Sequence, residues 1–234
     1  MTLVSFDVWG TLLYIDPYYR AAAEALGKLR GLSFEEAYGF IKRGYEEVKR
    51  ARKLGLIDDE SIVDSSIGIA LSVGSLQISR YDIFSAFAIA VNKVRGEELL
   101  IQGSIETLER LENDGFTLAV TSNVIYWPGY VTRILVDKAG LSKFFKVQVY
   151  ADEVRCLKPG QRIFREVLTL TGSRPSEAYH VGDSPAEDLA GAVASGLGGI
   201  LIDSNQQDPY VNRPLRIAIV KSIADVPKAI SMLS

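Results

Sequence analysis

The 234-residue sequence has one cysteine, one histidine and two methionines. A single thiol, Cys156, excludes an internal disulfide, and the lone His180 excludes a histidine-rich metal site. Positive charge is not in excess: 26 Lys+Arg face 29 Asp+Glu, for a net charge of -3. Neither a nucleic-acid backbone nor an anionic lipid surface is therefore an expected partner. No window reaches the roughly 18 uninterrupted apolar residues of a membrane span. The opening MTLVSFDVWG lacks the positive flank and long apolar core of a signal peptide. These absences leave a cytoplasmic protein, monomer or homodimer, as the expectation.

With 47% hydrophobic and 24% charged residues, the composition is that of a folded globular chain. Short apolar runs rich in β-branched residues predict strands at 3–8, 117–121, 147–150, 178–181 and 199–202, with 216–220 as an edge strand. The first runs are continuously apolar rather than alternating, which suits strands buried on both faces of a parallel sheet. Helical patterns cover 104–113, 128–139, 160–170, 185–195 and 222–233, so strand and helix alternate in an α/β core. Residues 203–214 are polar and rich in turn formers, and read as a loop.

The alternation breaks between residues 17 and 98, where the pattern predicts about four helices and no strand. Asp16-Pro17 reads as an N-cap followed by proline at the first helical position. Ser33 with Glu36 and Ser79 with Asp82 fit capping boxes. The division expected is a core of residues 1–15 and 99–234 with a helical unit of 16–98 inserted in it. An insert at that point can cover the carboxyl ends of the strands, where open α/β sheets bind ligands.

Four polar clusters fall at or after predicted strand ends: Asp7-Val8-Trp9-Gly10-Thr11, Ser122-Asn123, Lys158-Pro159, and Gly182-Asp183-Ser184-Pro185-Ala186-Glu187-Asp188. In this order, with a helical segment between the first two, the set resembles the haloacid dehalogenase superfamily. The resemblance covers nearly the whole chain and includes the runs CLKPGQRIF and HVGDSPAED. It implies a Rossmann-like parallel-sheet core with a small α-helical cap domain. It also implies that Asp7 is a covalent nucleophile, that Lys158 neutralises it and the transferred group, and that Thr11, Ser122 and Asn123 donate to substrate oxygens. Three carboxylates facing one lysine repel unless a cation joins them, and hard oxygen ligands suit Mg²⁺. The resemblance assigns that ion to Asp7, the Trp9 carbonyl and Asp183, with Asp188 acting directly or through water.

Trp9 departs from the pattern of the phosphatases, which place an aspartate two residues after the nucleophile to protonate the leaving group. An indole cannot exchange that proton. The dehalogenases of the superfamily carry an aromatic residue there, because halide leaves unprotonated, and they work without metal. Against them stand Asp183, a costly second carboxylate if no cation is held, and Phe164, where they commonly have tyrosine. Their haloacid-clamping arginine has no clear counterpart, with Arg43 the nearest candidate. The balance favours a Mg²⁺-dependent phosphatase of a small phosphorylated metabolite. The alternatives are a metal-independent 2-haloacid dehalogenase and a non-catalytic metabolite-binding relative.

Other polar residues have structural readings. Ser184 with Glu187 fits a further capping box. His180 reads as a core histidine, Asp152 and Glu153 as a solvated loop, and Lys42 and Arg43 as a solvated helix face, with reach to an anionic substrate as the alternative for either. Trp127, Tyr14, Tyr18 and Tyr19 read as packing residues.

Overall fold

The computed structural model describes residues 2–74 and 76–233. Seven strands form one sheet: β1 (Leu3–Phe6), β2 (Thr117–Ser122), β3 (Phe145–Tyr150), β4 (Ala178–Gly182), β5 (Gly198–Ile202), β6 (Tyr210–Asn212) and β7 (Ile217–Val220). Their spatial order is β3-β2-β1-β4-β5-β7-β6. All pairings are parallel except that of β6 with β7. The central strands are buried along both faces, every residue of β1 and β4 included, which is why their sequences show apolar runs rather than alternation.

Two expectations about the sheet edge need correction. The strand at 217–220 is internal, and the outer place belongs to β6, inside the segment read as a loop. Its three residues lie among polar turn formers, too few for an alternation to show.

Helices α1 (Asp16–Arg30), α2 (Phe34–Lys53), α3 (Ile62–Ser72), α4 (Arg80–Lys93) and the short α5 (Gly96–Leu99) all lie between β1 and β2. Both predicted capping boxes form, at Ser33/Glu36 and Ser79/Asp82. Asp16 is no N-cap: that place falls to Ile15, and Asp16 accepts instead from Arg20 and Tyr38. Helix α1 packs on α2 and α4, and α2 on α3. Tyr18, Tyr19 and Phe87 from the insert meet Tyr126 and Trp127 from the loop after β2, with ring centroids as close as 4.8 Å. Tyr126 also donates from its hydroxyl to the Ile41 carbonyl in α2. The packing expected of Tyr18, Tyr19 and Trp127 is thus observed, while Tyr14 is exposed.

After β2 come α6's successor helices: α6 itself (Ser104–Asn113) precedes that strand, and α7 (Gly129–Lys138), α8 (Ala151–Val154), α9 (Gln161–Thr171), α10 (Gly191–Ala194) and α11 (Val226–Leu233) follow it. The predicted helix at 185–195 begins as a π-helical segment, Pro185–Ala190, before α10. Asp152 and Glu153 are not a solvated loop. They lie in α8, where Asp152 accepts from the Gly129 N–H at the start of α7 and Glu153 pairs with Arg133. Among the described residues no helix is long and apolar enough to cross a membrane.

Candidate active site

Register brings the polar clusters together. Phe6 pairs with Val120 on one side and Val181 on the other, so the residues that end β1, β2 and β4 or directly follow them share one edge of the sheet. Those residues are Asp7, Thr121-Ser122-Asn123 and Gly182-Asp183. The edge is the carboxyl end of the strands, where the strand order reverses around β1 and ligands of open α/β sheets bind.

Gly10 lets the first turn close over this edge. Its φ is +85°, and a Cβ there would overlap the Asp183 carboxylate. The turn is held by Gly10 N–H donating to Leu13 O and by Thr11, Leu12 and Leu13 N–H donating to Val8 O; the Trp9 carbonyl takes no part in these bonds.

Lys158 is buried and donates to Asp7 Oδ1 at 2.7 Å, Asp188 Oδ1 at 2.6 Å and the Thr121 carbonyl at 2.9 Å. All three ammonium protons are thereby used. Ser122 Oγ also donates to Asp7 Oδ1, at 2.8 Å. Both donors reach the same oxygen, which leaves Oδ2 free of these bonds, and Asp7 lines the cleft. Asp188 accepts at Oδ1 from His180 Nε2 (3.0 Å) and at Oδ2 from the Ser184 N–H (2.9 Å). His180 is in the core as expected, and its Nδ1 lies 2.9 Å from Ser5 Oγ. Its burial, and next the Lys158 charge, hold it neutral. A neutral imidazole facing a carboxylate carries its proton on Nε2.

The carboxylates diverge in acidity. Burial outweighs the nearby Lys158 and pushes Asp7 up to about 6. Desolvation, then the charges of Asp7 and Asp188, pushes Asp183 up to about 7. Burial would raise Asp188 too, but the Lys158 ammonium and the His180 hydrogen bond hold it well below the usual carboxylate range. Burial opposes the charge on Lys158, yet Asp188 and Asp7 together raise it.

Oxygens of Asp7, Asp183 and Asp188 lie within 4.8 Å of one another. Lys158 answers two of these charges, and Asp183 forms no ion pair among the described residues. A hard divalent cation fits this donor set.

Asn123 and Glu187 form the next layer. Asn123 Oδ1 accepts from the Lys158 N–H at 2.8 Å, and its Nδ2 donates to Glu187 Oε2 at 2.9 Å and to the Lys158 carbonyl at 3.3 Å. The Ser184 hydroxyl does accept from the Glu187 N–H, as a cap requires. The Glu187 carboxylate does not complete the box. It accepts from Asn123 and from Arg52 Nη1, at 3.1 Å. Arg52, from α2, is the cleft residue that sequence reading missed; Arg43 is absent from the cleft lining. A signal was available: Tyr45, Lys49, Arg52 and Lys53 recur at i, i+4, i+7 and i+8, one face of a helix, and all four line the cleft.

The cleft has a volume of about 210 Å³ and is lined also by Asp7, Trp9, Asn123, Asp183, Glu187 and Asp188. Ser122 and Thr11 lie behind its wall. Ser122 spends its hydroxyl on Asp7 rather than on the cleft, and the buried Thr11 hydroxyl has no partner among the described residues.

A model of haloacid dehalogenase-like hydrolases matches residues 1–196. A ribulose-1,5-bisphosphate 5-phosphatase of Halopiger xanaduensis is 29% identical over 88% of this chain and 86% of its own. A glyceraldehyde 3-phosphate phosphatase of Methanothermobacter thermautotrophicus is 32% identical over 51% of this chain and 54% of its own. The solved structure of an L-2-haloacid dehalogenase of Xanthobacter autotrophicus shares the fold with a TM-score of 0.70 at 17% identity, over 100% of both chains.

Proposed function

Since the chain belongs to the haloacid dehalogenase-like hydrolase family, we propose that it is a Mg²⁺-dependent phosphatase of a small phosphorylated metabolite, with Asp7 as the nucleophile. The observation that carries this reading is Asp183. It is exposed to the cleft and forms no ion pair among the described residues, yet its carboxylate lies within 4.8 Å of those of Asp7 and Asp188, so the like charges repel unless a cation is held there. Asp7, Asp183 and the Trp9 carbonyl would hold the ion, with Asp188 beside them. When bound, Mg²⁺ offsets the charge of the carboxylates and of the substrate's phosphoryl oxygens.

The protein's own groups supply the rest. Ser122 and Lys158 fix Asp7 through Oδ1, so Oδ2 attacks phosphorus and the ester oxygen leaves with the bonding electron pair. Lys158 stays protonated and balances negative charge through the step. Water then attacks phosphorus in the aspartyl phosphate, which releases inorganic phosphate and restores the Asp7 carboxylate. Asn123 holds the Lys158 loop in register through Oδ1 and Nδ2, and its Nδ2 also fixes Glu187 at the cleft wall. No acid stands at position 9, so the leaving oxygen must be a stable anion or take its proton from solvent. We read residues 16–98 as a cap domain that places α2 over the cleft and 1–15 with 99–234 as the core. A cleft below the roughly 300–1,000 Å³ of drug-sized ligand sites favours a small substrate.

Trp9 alone favours the second reading, a metal-free 2-haloacid dehalogenase. The two separate cleanly. Purified protein should release phosphate from p-nitrophenyl phosphate with Mg²⁺, lose that activity in EDTA, and lose it on Asp7→Asn. Turnover unaffected by EDTA, or halide release from 2-chloropropionate without phosphate release from any ester, would replace the phosphatase reading.

A further inference from the structure

The wall of the cleft opposite the strand ends is basic, and the transferred phosphoryl group does not account for it. Its centre is Arg52. That side chain is 7% exposed, yet among the described residues its one ion-pair partner is Glu187, reached through Nη1 alone. Nε is buried and has no hydrogen-bond partner among the described residues. A guanidinium presents five donors in a planar fork suited to two oxygens of one anion, so a single contact leaves most of that capacity unmet.

Two more cations share the wall. Lys49 and Lys53 line the cleft on either side of Arg52, and neither forms an ion pair among the described residues. Lys49 Nζ lies 5.1 Å from the Tyr45 ring centroid, a contact that positions it without neutralising it. Tyr45 lines the same cleft as Arg52, Asp183 and Glu187, and its phenol is pushed up to about 12 by burial first, so it stays a neutral donor. At the strand-end wall the needs of a phosphoryl group are met separately, by Lys158 and by the carboxylates that can hold a cation.

Building on the phosphatase reading above, we infer that the preferred substrate carries a second anionic group, phosphate or carboxylate, and that Arg52 with Lys49 binds it. Glu187 holds the guanidinium in the free enzyme. An arriving anion takes up the unpartnered Nε and an Nη of the fork. Arg52 is thus a specificity-determining residue that acts on the end of the substrate remote from the reacting phosphorus.

The test compares four phosphate esters with Mg²⁺ present: fructose 1,6-bisphosphate, 3-phosphoglycerate, glycerol 3-phosphate and p-nitrophenyl phosphate. The expected result is that kcat/KM for one of the first two exceeds that for glycerol 3-phosphate by tenfold or more. Which of the two leads distinguishes a phosphate from a carboxylate. Arg52→Gln should lower kcat/KM for the leading substrate at least ten times more than for p-nitrophenyl phosphate, mainly through KM. Arg52→Lys should restore part of the loss, and Lys49→Gln should show the same bias more weakly. Equal loss on all four esters would place Arg52 on the transferred phosphoryl group and overturn the inference. So would a wild-type preference for glycerol 3-phosphate.

If no ester is hydrolysed, the phosphatase reading itself fails, and binding to the Asp7→Asn protein then judges the subsite. Thermal stabilisation by fructose 1,6-bisphosphate or 3-phosphoglycerate that Arg52→Gln abolishes would sustain it. Stabilisation indifferent to Arg52, or none, would remove it.

Discussion

Trp9 stands two residues beyond the nucleophile, where a carboxylate would serve as acid and base. Its ring stacks on Tyr18 at 6.2 Å and meets the edge of Trp127 at 5.6 Å, while its Nε1 has no partner among the described residues. Trp9→Asp should therefore act twice. It removes aromatic contacts worth about 0.5–1.5 kcal/mol per pair beyond burial, so the midpoint of denaturant unfolding should fall. It also restores a proton donor, a group worth ~10²–10⁴-fold where protonation limits the rate. The gain should be greatest for glycerol 3-phosphate and least for p-nitrophenyl phosphate, whose leaving group is already a stable anion. A folded Trp9→Asp enzyme with an equal change on both esters would show that leaving-group protonation is not limiting.

Lys158 gives the complementary case. It neutralises two buried carboxylates, and removing one partner of such a pair costs about 3–5 kcal/mol because charge is left uncompensated. Lys158→Met should abolish turnover and lower stability by about that amount in urea titration. A variant of unchanged stability would mean that Asp7 and Asp188 reprotonate or find solvent at no cost. At this scale the motif residues were legible from type and order alone. Arg52 showed only as one member of a basic helix face with Tyr45, Lys49 and Lys53; its pairing with Glu187 was not legible, because a salt bridge across 135 positions leaves no local trace, and Ser184 with Glu187 has the spacing of a capping box whose second half the chain does not form.

Helix α2 carries the basic wall, so its seating decides where that wall stands. Gly44 sits where a Cβ would come 2.6 Å from Tyr126 Oη and 2.9 Å from Ala70 Cβ. Gly44→Val should push α2 away from α3 and from the loop after β2, at a cost of about 1–3 kcal/mol for overpacking. KM for anionic esters should rise with it, measured against p-nitrophenyl phosphate as reference. A well-folded variant with unaltered KM would detach the wall from substrate binding. The helices of the insert were readable because their capping boxes are local. The short strand Tyr210–Asn212 was not, since it exists through pairing with Ile217–Ile219 and lacks a pattern of its own. Likewise a helical period does not report the split of residues 185–194 into π and α segments.

For the whole molecule, the acid cluster couples stability to pH. Asp7 and Asp183 have folded-state values raised above the unfolded value of about 3.9. Their folded forms bind protons more readily, so the stability they contribute is present at low pH and lost as pH rises through about 6 to 7. Asp188 has the opposite sign. Its value is depressed, and its contribution is lost only as pH falls below the unfolded value. The metal-free protein should therefore gain thermal stability from pH 8 to pH 5. Mg²⁺, which offsets the repulsion among ionised carboxylates, should raise Tm more at pH 8 than at pH 5. An Mg²⁺ increment independent of pH would separate the ion from these acids.

The most direct measurement is on the nucleophile itself. Wild-type protein is mixed with p-nitrophenyl phosphate and Mg²⁺, quenched in acid within one turnover, digested and analysed by mass spectrometry. The expected result is a phosphoryl group on the peptide that contains Asp7, absent in EDTA and absent from Asp7→Asn. Phosphate release at the same rate with no phosphoryl group on that peptide, or with the group on another residue, would contradict covalent catalysis by Asp7.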